Sequence, residues 1–259
     1  MELTGATALV TGANRGIGRA IAEALAARPI ARVLAGVRQP EDFEPIAGPV
    51  EPVRMDLSSR DSIDASCAAL GGRLGEIDLL VNNAGRMTGG LLEEQDLAEV
   101  YAMLQVNLVA VTHLTHAVLP GMLERGRGKV VNNASISGYA FFPAASTYAA
   151  SKAGVVAFSE SLRRELRGTG VGVLHLVTPG VDTDMMGATE DAYGRHMDTS
   201  GWTKQPAEDW AGRVVRAIER DEHVLGPGDR MALAKLASRG PAFLLDAIAA
   251  RGFSRTPRG

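Results

Sequence analysis

The chain has 259 residues, 46% hydrophobic and 22% charged, a composition typical of a globular protein with one large domain or two small ones. Its net charge of −3 argues against general attraction to nucleic acid or to an anionic membrane. The single cysteine, Cys67, excludes an intramolecular disulfide, so we expect a reducing, cytoplasmic location. We recognise no signal peptide, and no uninterrupted apolar run approaches the roughly 20 residues of a membrane span.

Short apolar runs alternate with longer segments of helical periodicity. The runs are Ala6–Thr11, Arg32–Val37, Val50–Asp56, Ile77–Asn82, Lys129–Ala134, Val171–Val177 and His223–Gly226. Between them, apolar residues recur three and four positions apart, which indicates amphipathic helices. Strands separated by helices predict right-handed crossovers and therefore an α/β fold, a parallel sheet with helices on both faces.

We expect one catalytic domain over residues 1–251 and a loose tail at 252–259. Within the domain, residues 182–204 show no firm periodicity and follow a predicted strand, which is the usual place of a lid or binding loop. Two short helices are predicted at Asp229–Arg239 and Pro241–Arg251. Their apolar residues either pack on the body or on a neighbouring subunit, or form a wall of a binding cleft.

A glycine-rich turn follows the first predicted strand and opens the first helix. It reads T-G-A-N-R-G-I-G from Thr11 to Gly18. Glycine lets the backbone turn tightly and approach a pyrophosphate, and the N–H groups and dipole at a helix start favour phosphate. The turn therefore predicts dinucleotide binding through Gly12, Asn14, Arg15, Gly16, Ile17 and Gly18.

The end of the second strand distinguishes between the two nicotinamide cofactors. A carboxylate there binds the ribose 2′-hydroxyl of NAD, whereas an arginine accommodates the 2′-phosphate of NADP. The strand ends in Arg38 with no acid, and Arg15 can approach the same phosphate. We therefore expect NADP(H) in preference to NAD(H), the alternative being that Arg38 is a solvated loop residue. Asp56 ends the third strand, where it can accept from an adenine amino group or cap the next helix.

Tyr148 and Lys152 stand four residues apart in Y-A-A-S-K, within a predicted helix. That spacing places the phenol and the ammonium on one face. A phenol can deliver a proton and a nicotinamide a hydride, so together they predict carbonyl–alcohol redox chemistry. An ammonium about 4 Å away is worth roughly 4 kcal/mol at an effective dielectric of 20, so we expect it to bring the pKa of Tyr148 from about 10 towards 7. The alternative is a surface helix pair.

With these residues in place, the chain resembles the short-chain dehydrogenase/reductase family over nearly its whole length, less clearly after about residue 182. Besides the glycine loop and the Tyr–Lys pair, the matching motifs are Asn82-Asn83-Ala84-Gly85, Asn107, Ser135 in N-N-A-S-I-S-G, Pro179-Gly180 and Thr183. Ser135 stands 13 positions before Tyr148, the family's distance for its catalytic serine, so Ser137 is set aside for that role. The sequence departs at Asn133, where the family has an apolar residue, and it offers no partner for that amide.

The resemblance implies a seven-stranded doubly wound sheet of Rossmann type and, usually, a homodimer or homotetramer. It implies that Tyr148 is the general acid and base, assisted by Lys152, and that Ser135 binds the substrate oxygen. Asn107 would hold a water for proton resupply, with a hydrogen bond inside the core as the alternative. Residues expected at the cofactor, beyond the glycine loop and Arg38, are Asp56, Leu57, Asn83, Ala84, Gly85, Tyr148, Lys152, Pro179, Gly180, Val181 and Thr183.

The substrate is the least determined part of the site. Aromatic and methionine residues near the catalytic groups predict an apolar pocket and a moderately hydrophobic small-molecule carbonyl or alcohol. The candidate substrate residues are Ser135, Ser137, Tyr139, Phe141, Tyr148, Met185 and Met186, some of which could instead face a subunit interface. No metal is expected, because His113 and His116 have no evident third ligand.

Two other functions share this fold. A non-catalytic nucleotide-sensing regulator usually lacks the tyrosine or the lysine, and a lyase of the halohydrin dehalogenase type replaces the glycine loop with a halide pocket. This chain keeps Tyr148, Lys152 and Thr11–Gly18. We therefore favour an NADP(H)-dependent oxidoreductase that interconverts a ketone or aldehyde with an alcohol.

Overall fold

Seven parallel strands form one sheet in the computed structural model. The structure describes residues 1–200, 202–228 and 254, and for residues 188–191 it describes the backbone only. The strands are β1 (Thr7–Thr11), β2 (Arg32–Val37), β3 (Val50–Arg54), β4 (Leu79–Asn82), β5 (Gly128–Asn133), β6 (Val171–Leu176) and β7 (Val224–Leu225). Their spatial order is β3-β2-β1-β4-β5-β6-β7. Six of the seven predicted runs contain a strand, and the run Lys129–Ala134 is shifted by one residue from β5. The doubly wound sheet of Rossmann type is confirmed.

Helices cover both faces of the sheet. They are α1 (Gly16–Ala26), α2 (Arg60–Leu70), α3 (Leu97–Leu104), α4 (Ala110–Arg125), α5 (Ser146–Glu165), α6 (Asp184–Gly194) and α7 (Ala207–Glu219). Helices α1 and α7 bury Ile21 and Trp210 on one face, whereas α2, α4 and α5 bury Ile63, Leu114 and Leu162 on the other. Because neither face is solvated, the central strands are apolar along their length rather than alternating.

The strand order changes direction at β1, which pairs with β2 on one side and with β4 on the other. In an open α/β sheet a crevice forms at such a point, outside the carboxyl ends of the strands. The glycine loop follows β1 and Asn83 follows β4. The topology therefore brings two motifs that are distant in sequence to one crevice.

The segment without periodicity contains a helix, α6, with Thr183 at its N-cap. Tyr193 and Met197 are buried in a small apolar cluster, so packing on the body stabilises a helix that Gly187 disfavours by propensity. The helices predicted at 229–239 and 241–251 lie outside the described residues. The predicted tail is described only at Ser254, whose N–H donates to the carbonyl oxygen of His196 at 2.9 Å.

A continuous helical segment, Leu97–Arg125, is long and apolar enough to cross a membrane by length and composition, with a mean hydropathy of 1.4. It comprises α3, a π-helical segment at Gln105–Val109, and α4. Along α4, Leu114, Val118 and Met122 are buried against the sheet. Core helices that pack in this way pass the same test, so the feature is weak evidence for a membrane span.

Candidate active site

The glycine loop is held in a conformation that side chains would prevent. Gly12 and Gly16 have φ values of +65° and +54°, in the left-handed region that favours glycine. A Cβ on Gly18 would lie 2.2 Å from the carbonyl oxygen of Gly12 and 2.4 Å from Nδ2 of Asn83. The loop after β1 and the loop after β4 therefore meet through backbone and amide atoms with no space between them.

The residues at this crevice fit a dinucleotide. No side chain caps the start of α1, whose N-cap is Arg15, so its first N–H groups are open to phosphate. Arg38, at the end of β2, is exposed and forms no hydrogen bond or ion pair with any residue in the described ranges. Open N–H donors, a close backbone approach and an unpaired guanidinium are the groups that phosphates require.

Arg15 has a partner that the sequence did not indicate. Its Nη1 lies 3.0 Å from Oδ2 of Asp184, in the first turn of α6. Both side chains are more than two-thirds exposed, so the ion pair adds little to stability. To contact a 2′-phosphate, as predicted, Arg15 would have to give up its ion pair with Asp184.

Asp56 does not cap the helix that follows it. The N-cap of α2 is Ser59, which forms a reciprocal capping box with Ser62. Asp56 instead accepts a hydrogen bond through Oδ1 from the N–H of Ser58 at 3.0 Å. The capping alternative is therefore wrong, and the adenine contact stays a prediction.

Tyr148 and Lys152 lie in α5, and both are buried, with exposed fractions of 9% and 5%. Nζ of Lys152 lies 5.8 Å from the centre of the Tyr148 ring and donates to the carbonyl oxygen of Asn133 at 2.8 Å. The Ser135 side chain lies near enough to the Tyr148 hydroxyl to lower the pKa of the phenol. The structure thus brings together the serine, the tyrosine and the lysine that the sequence singled out, and it excludes a surface helix pair.

Burial controls the protonation of this pair. It raises the pKa of Tyr148 to about 12, partly offset by the Ser135 side chain, and it lowers the pKa of Lys152 to about 8. The expectation that Lys152 brings the pKa of Tyr148 towards 7 is wrong for the protein alone. A buried phenolate loses more solvation than the neighbouring ammonium restores. At neutral pH the phenol is protonated, the form that a general acid needs.

Asn107 lies in the π-helical segment and is 1% exposed. Its Oδ1 accepts from the N–H of Arg86 at 2.8 Å, and its Nδ2 donates to the carbonyl oxygen of Arg86 at 2.9 Å and to Oγ of Ser151 at 3.1 Å. A Cβ on Gly85 would lie 3.4 Å from Oδ1 of Asn107 and 3.8 Å from Nζ of Lys152. Asn107 therefore fixes the loop after β4 next to the ammonium, in agreement with the core alternative. The water-holding role stays a prediction.

Asn133, the departure from the family pattern, has partners on both neighbouring strand ends. Its Nδ2 donates to Oδ1 of Asn83 at 3.0 Å, and its Oδ1 accepts from Oγ1 of Thr178 at 2.5 Å. Asn83 in turn donates through Nδ2 to the carbonyl oxygen of Thr11 at 3.1 Å. One amide therefore ties together the ends of β4, β5 and β6, and its own carbonyl oxygen holds Lys152.

The segment after β6 lies over the glycine loop. A Cβ on Gly16 would lie 3.1 Å from Cγ2 of Thr183. Val181 forms an isolated parallel bridge with Gln205, and a Cβ on Gly180 would lie 2.5 Å from the carbonyl oxygen of Thr203. These contacts place the segment from position 179 to position 183 beside the start of α1, where the resemblance expects a cofactor contact.

Two of the predicted substrate residues, Tyr139 and Phe141, have different surroundings. The hydroxyl of Tyr139 lies 2.7 Å from Nε2 of His175, and its ring packs against Val177 at the end of β6. Tyr139 is thus an interior contact, contrary to the prediction, because a buried histidine satisfies its hydroxyl. Phe141 is 52% exposed, whereas its neighbour Phe142 packs inward.

The remaining substrate candidates are Ser137, Met185 and Met186. Ser137 is buried, and its N–H donates to Oγ of Ser135 at 3.2 Å. Cε of Met186 lies 3.6 Å from the Cβ position of Gly180, while Met185 is 41% exposed. Their contact with a substrate stays a prediction.

Sequence analysis missed an apolar cluster at the start of α5. Its buried members are Ala144, Ala145, Tyr193 and Met197, and its half-buried members are Met87, Phe142, Ala192 and Trp202. The only signal was the aromatic and methionine content of residues 182–204, which does not show which side chains turn inward. We call this set the Tyr193 cluster.

Comparison with known proteins identifies the family. The sequence profile of the short chain dehydrogenases matches residues 6–194. The 3-oxoacyl-(acyl-carrier-protein) reductase FabG of Vibrio cholerae is 37% identical over 198 residues, 74% of this chain and 80% of its own length. The ketoacyl reductase HetN of Nostoc is 37% identical over 184 residues, 69% of this chain and 64% of its own.

Solved structures agree. A short chain dehydrogenase from Burkholderia cenocepacia in complex with NADP has a TM-score of 0.79 and 28% identity over 97% of this chain and 98% of its own. One from Burkholderia phymatum in complex with NAD has a TM-score of 0.77 and 26% identity over 91% and 94%. The chain therefore belongs to the short-chain dehydrogenase/reductase family of oxidoreductases.

Proposed function

We propose that the protein is an NADP(H)-dependent oxidoreductase that interconverts a ketone or aldehyde with an alcohol. The observation that supports this most directly is the buried group of Ser135, Tyr148 and Lys152 next to a glycine loop that excludes side chains. A regulator has no need of a buried acid with an ammonium beside it. A dehalogenase would need a halide pocket where Thr11–Gly18 fits a dinucleotide.

Each protein group has one task in the reducing direction. A bound nicotinamide cofactor supplies the hydride for the carbonyl carbon. Tyr148 holds the proton for the carbonyl oxygen, and its pKa of about 12 keeps that proton in place until negative charge develops on the oxygen. Ser135 offers a hydrogen bond to the same oxygen, which stabilises the developing charge. The ammonium of Lys152, held by Asn133, stabilises the phenolate that remains.

Arg38 supports the preference for NADP(H). Its guanidinium is exposed at the end of β2, and no described residue pairs with it. A 2′-phosphate carries a charge of about −1.5 to −2, so an unpaired arginine there favours the phosphorylated cofactor. Relatives in complex with NADP and with NAD both exist. The proposed preference for NADP(H) therefore rests on Arg38 and not on the fold.

The Tyr193 cluster supports a moderately hydrophobic carbonyl substrate, as its side chains are mainly aromatic or aliphatic. The FabG and HetN relatives are named ketoacyl reductases, which is the same reaction type. We also propose a homodimer or homotetramer. The exposed Leu97 and Val109 on the long helical segment supply apolar surface for it.

Tyr148→Phe tests the function because it removes the transferable proton and keeps the ring. We expect kcat for NADPH-dependent reduction of hydrophobic ketones to fall at least about a hundredfold, since general acid catalysis is worth roughly 10²–10⁴. NADPH affinity, measured by fluorescence titration, should change less than about twofold. Tyr101→Phe, at a tyrosine 70% exposed on α3, is the matched control and should keep wild-type rates.

Two results would contradict the proposal. Wild-type protein that binds NADPH but consumes none with any ketone or aldehyde would indicate the regulator. Release of halide from a halohydrin without any cofactor would indicate the lyase.

A further inference from the structure

A buried hydroxyl without a partner lies close to the catalytic groups. Tyr193, in α6, is 3% exposed, and its hydroxyl oxygen is closed to solvent. Within the described part of the chain, no group forms a hydrogen bond with that oxygen. Buried hydroxyls nearly always have a partner, because an unsatisfied one has lost its water without replacement. Such an exception is most readily explained by a partner that arrives with a ligand.

The ring of Tyr193 is held from three sides. A Cβ on Gly89 would lie 2.4 Å from Cε1 of the ring, so the ring lies directly against the backbone after β4. Trp202 meets it edge to face, with ring centres 5.8 Å apart. Ala145 belongs to the same cluster and is the N-cap residue of α5, less than one turn before Tyr148. The ring therefore lies between the substrate segment and the catalytic helix.

Tyr193 and Tyr148 lie close enough to interact electrostatically. Burial raises the pKa of Tyr193 far above its usual range, and negative charge on Tyr148 raises it further. That coupling requires the two oxygens to be within electrostatic reach of one another. It also means that Tyr193 keeps its proton at every working pH and acts as a hydrogen-bond donor.

We infer that Tyr193 determines specificity by donating a hydrogen bond to a second, uncharged acceptor oxygen of the substrate, close to the carbonyl that is reduced. The inference rests on the proposed function and narrows it. The members of the Tyr193 cluster are apolar and carry no positive charge, so a carboxylate would be buried without a counter-charge. An ester, thioester or second ketone oxygen suits the hydroxyl, whereas a simple alkyl ketone leaves it unsatisfied.

Two ketones that differ in one carbonyl group test the inference. Hexyl 3-oxobutanoate carries an ester carbonyl beside the reacting ketone, and 4-hexyloxybutan-2-one has a methylene group in its place. We would measure kcat/KM for both at saturating NADPH, and compare the ratio of the two values between enzymes, since this cancels their difference in intrinsic reactivity. The enzymes are wild type, Tyr193→Phe and the exposed control Tyr101→Phe.

In Tyr193→Phe the ratio should fall about tenfold or more, through loss of activity on the keto ester. Activity on the ether ketone should be unchanged or slightly higher, because the variant no longer carries an unsatisfied hydroxyl. Tyr101→Phe should keep the wild-type ratio. A merely structural role of Tyr193 would lower both activities together and leave the ratio unchanged, which would overturn the inference.

Gly89→Ala gives an independent test that keeps the hydroxyl. The new Cβ would displace the Tyr193 ring, and the backbone at Gly89 is outside the left-handed region, so alanine is tolerated there. We expect the same fall in the ratio, and a wild-type ratio in this variant would count against the inference. If wild type binds NADPH yet reduces neither these two ketones nor any other ketone or aldehyde, the proposed function fails as well. If it reduces both and the variants show equal ratios, only the role of Tyr193 fails.

Discussion

Gly18 and Gly89 both lack room for a Cβ, yet they belong to halves of the site that are built differently. At Gly18 the nearest atom is a backbone oxygen, 2.2 Å from the Cβ position, and at Gly89 it is a ring carbon of Tyr193, 2.4 Å away. A backbone oxygen inside a turn cannot move without its strand, whereas a ring can rotate about its own side-chain bonds. The cofactor half is thus defined by main chain, and the substrate half by exchangeable side chains.

The polar groups show the same contrast. In the cofactor half, Thr11, Asn83 and Asn133 form a connected network of hydrogen bonds across three strand ends. In the substrate half, the hydroxyl of Tyr193 has no partner within the described ranges. A network in which every group is hydrogen-bonded is rigid, whereas an unpaired buried donor favours ligands that carry an acceptor for it. Under the functions proposed above, the rigid half would hold a constant cofactor and the half with the open donor would select the substrate.

Gly18→Ala should have the largest effect, because the overlap with the Gly12 carbonyl can be relieved only by moving backbone. We expect NADPH affinity to fall at least roughly a hundredfold, equivalent to about 3 kcal/mol, together with a lower Tm. Fluorescence titration and thermal unfolding measure the two effects. Gly72→Ala, where a Cβ meets nothing within 4 Å, is the control and should behave as wild type. Affinity within tenfold of wild type would show that the cofactor half is as adaptable as the substrate half.

Arg38→Asp should have an intermediate effect, confined to the choice of cofactor. Loss of a charge-assisted hydrogen bond is worth about 1.5–3 kcal/mol, so the preference for NADPH over NADH should fall roughly tenfold to a hundredfold. The ratio of kcat/KM for the two cofactors measures it. Arg167→Asp makes the same charge change between α5 and β6, at the opposite edge of the sheet, and should leave the ratio unaltered. An unchanged ratio in Arg38→Asp would remove the argument for a 2′-phosphate.

The pH dependence of reduction should show the smallest effect. Burial lowers the pKa of Lys152 to about 8, so the ammonium loses its proton as the pH rises through that value. Without the cation the phenolate of Tyr148 is less stable, and kcat/KM for NADPH should fall about tenfold by pH 9. In Lys152→Arg the guanidinium does not titrate, so the remaining activity should not fall between pH 8 and pH 9. If activity still falls with rising pH in Lys152→Arg, another group causes the fall.

The lowered pKa of Lys152 also makes the free energy of unfolding depend on pH, in a defined direction. Between about pH 8 and the unfolded value of 10.5, the unfolded state holds more protons than the folded state at Lys152. This group therefore contributes stability above that range, and the contribution is lost as the pH falls to about 8. Chemical denaturation of wild type against Lys152→Met checks the sign.

Prediction from sequence succeeded where structure depends on local spacing. The run Arg32–Val37 is a strand with the predicted bounds, because a strand buried on both faces needs an unbroken apolar run. Tyr148 and Lys152 share a face of α5 because four residues make about one helical turn. It failed for Tyr139 and for the pKa of Tyr148, since both depend on what surrounds the side chain and not on its neighbours in sequence.

By itself, then, the amino-acid sequence determined the parallel sheet, the glycine loop and the pairing of Tyr148 with Lys152, because periodicity, backbone conformation and helical spacing are local properties. Ser135 was identified through the resemblance to the family. Only the tertiary structure decided that Asn133 joins Asn83 and Thr178, 50 and 45 residues away, and that Tyr193 shares an apolar cluster with Ala145 at the start of α5. Contacts over such separations, and the loss of solvent that accompanies them, exist only once the chain has folded.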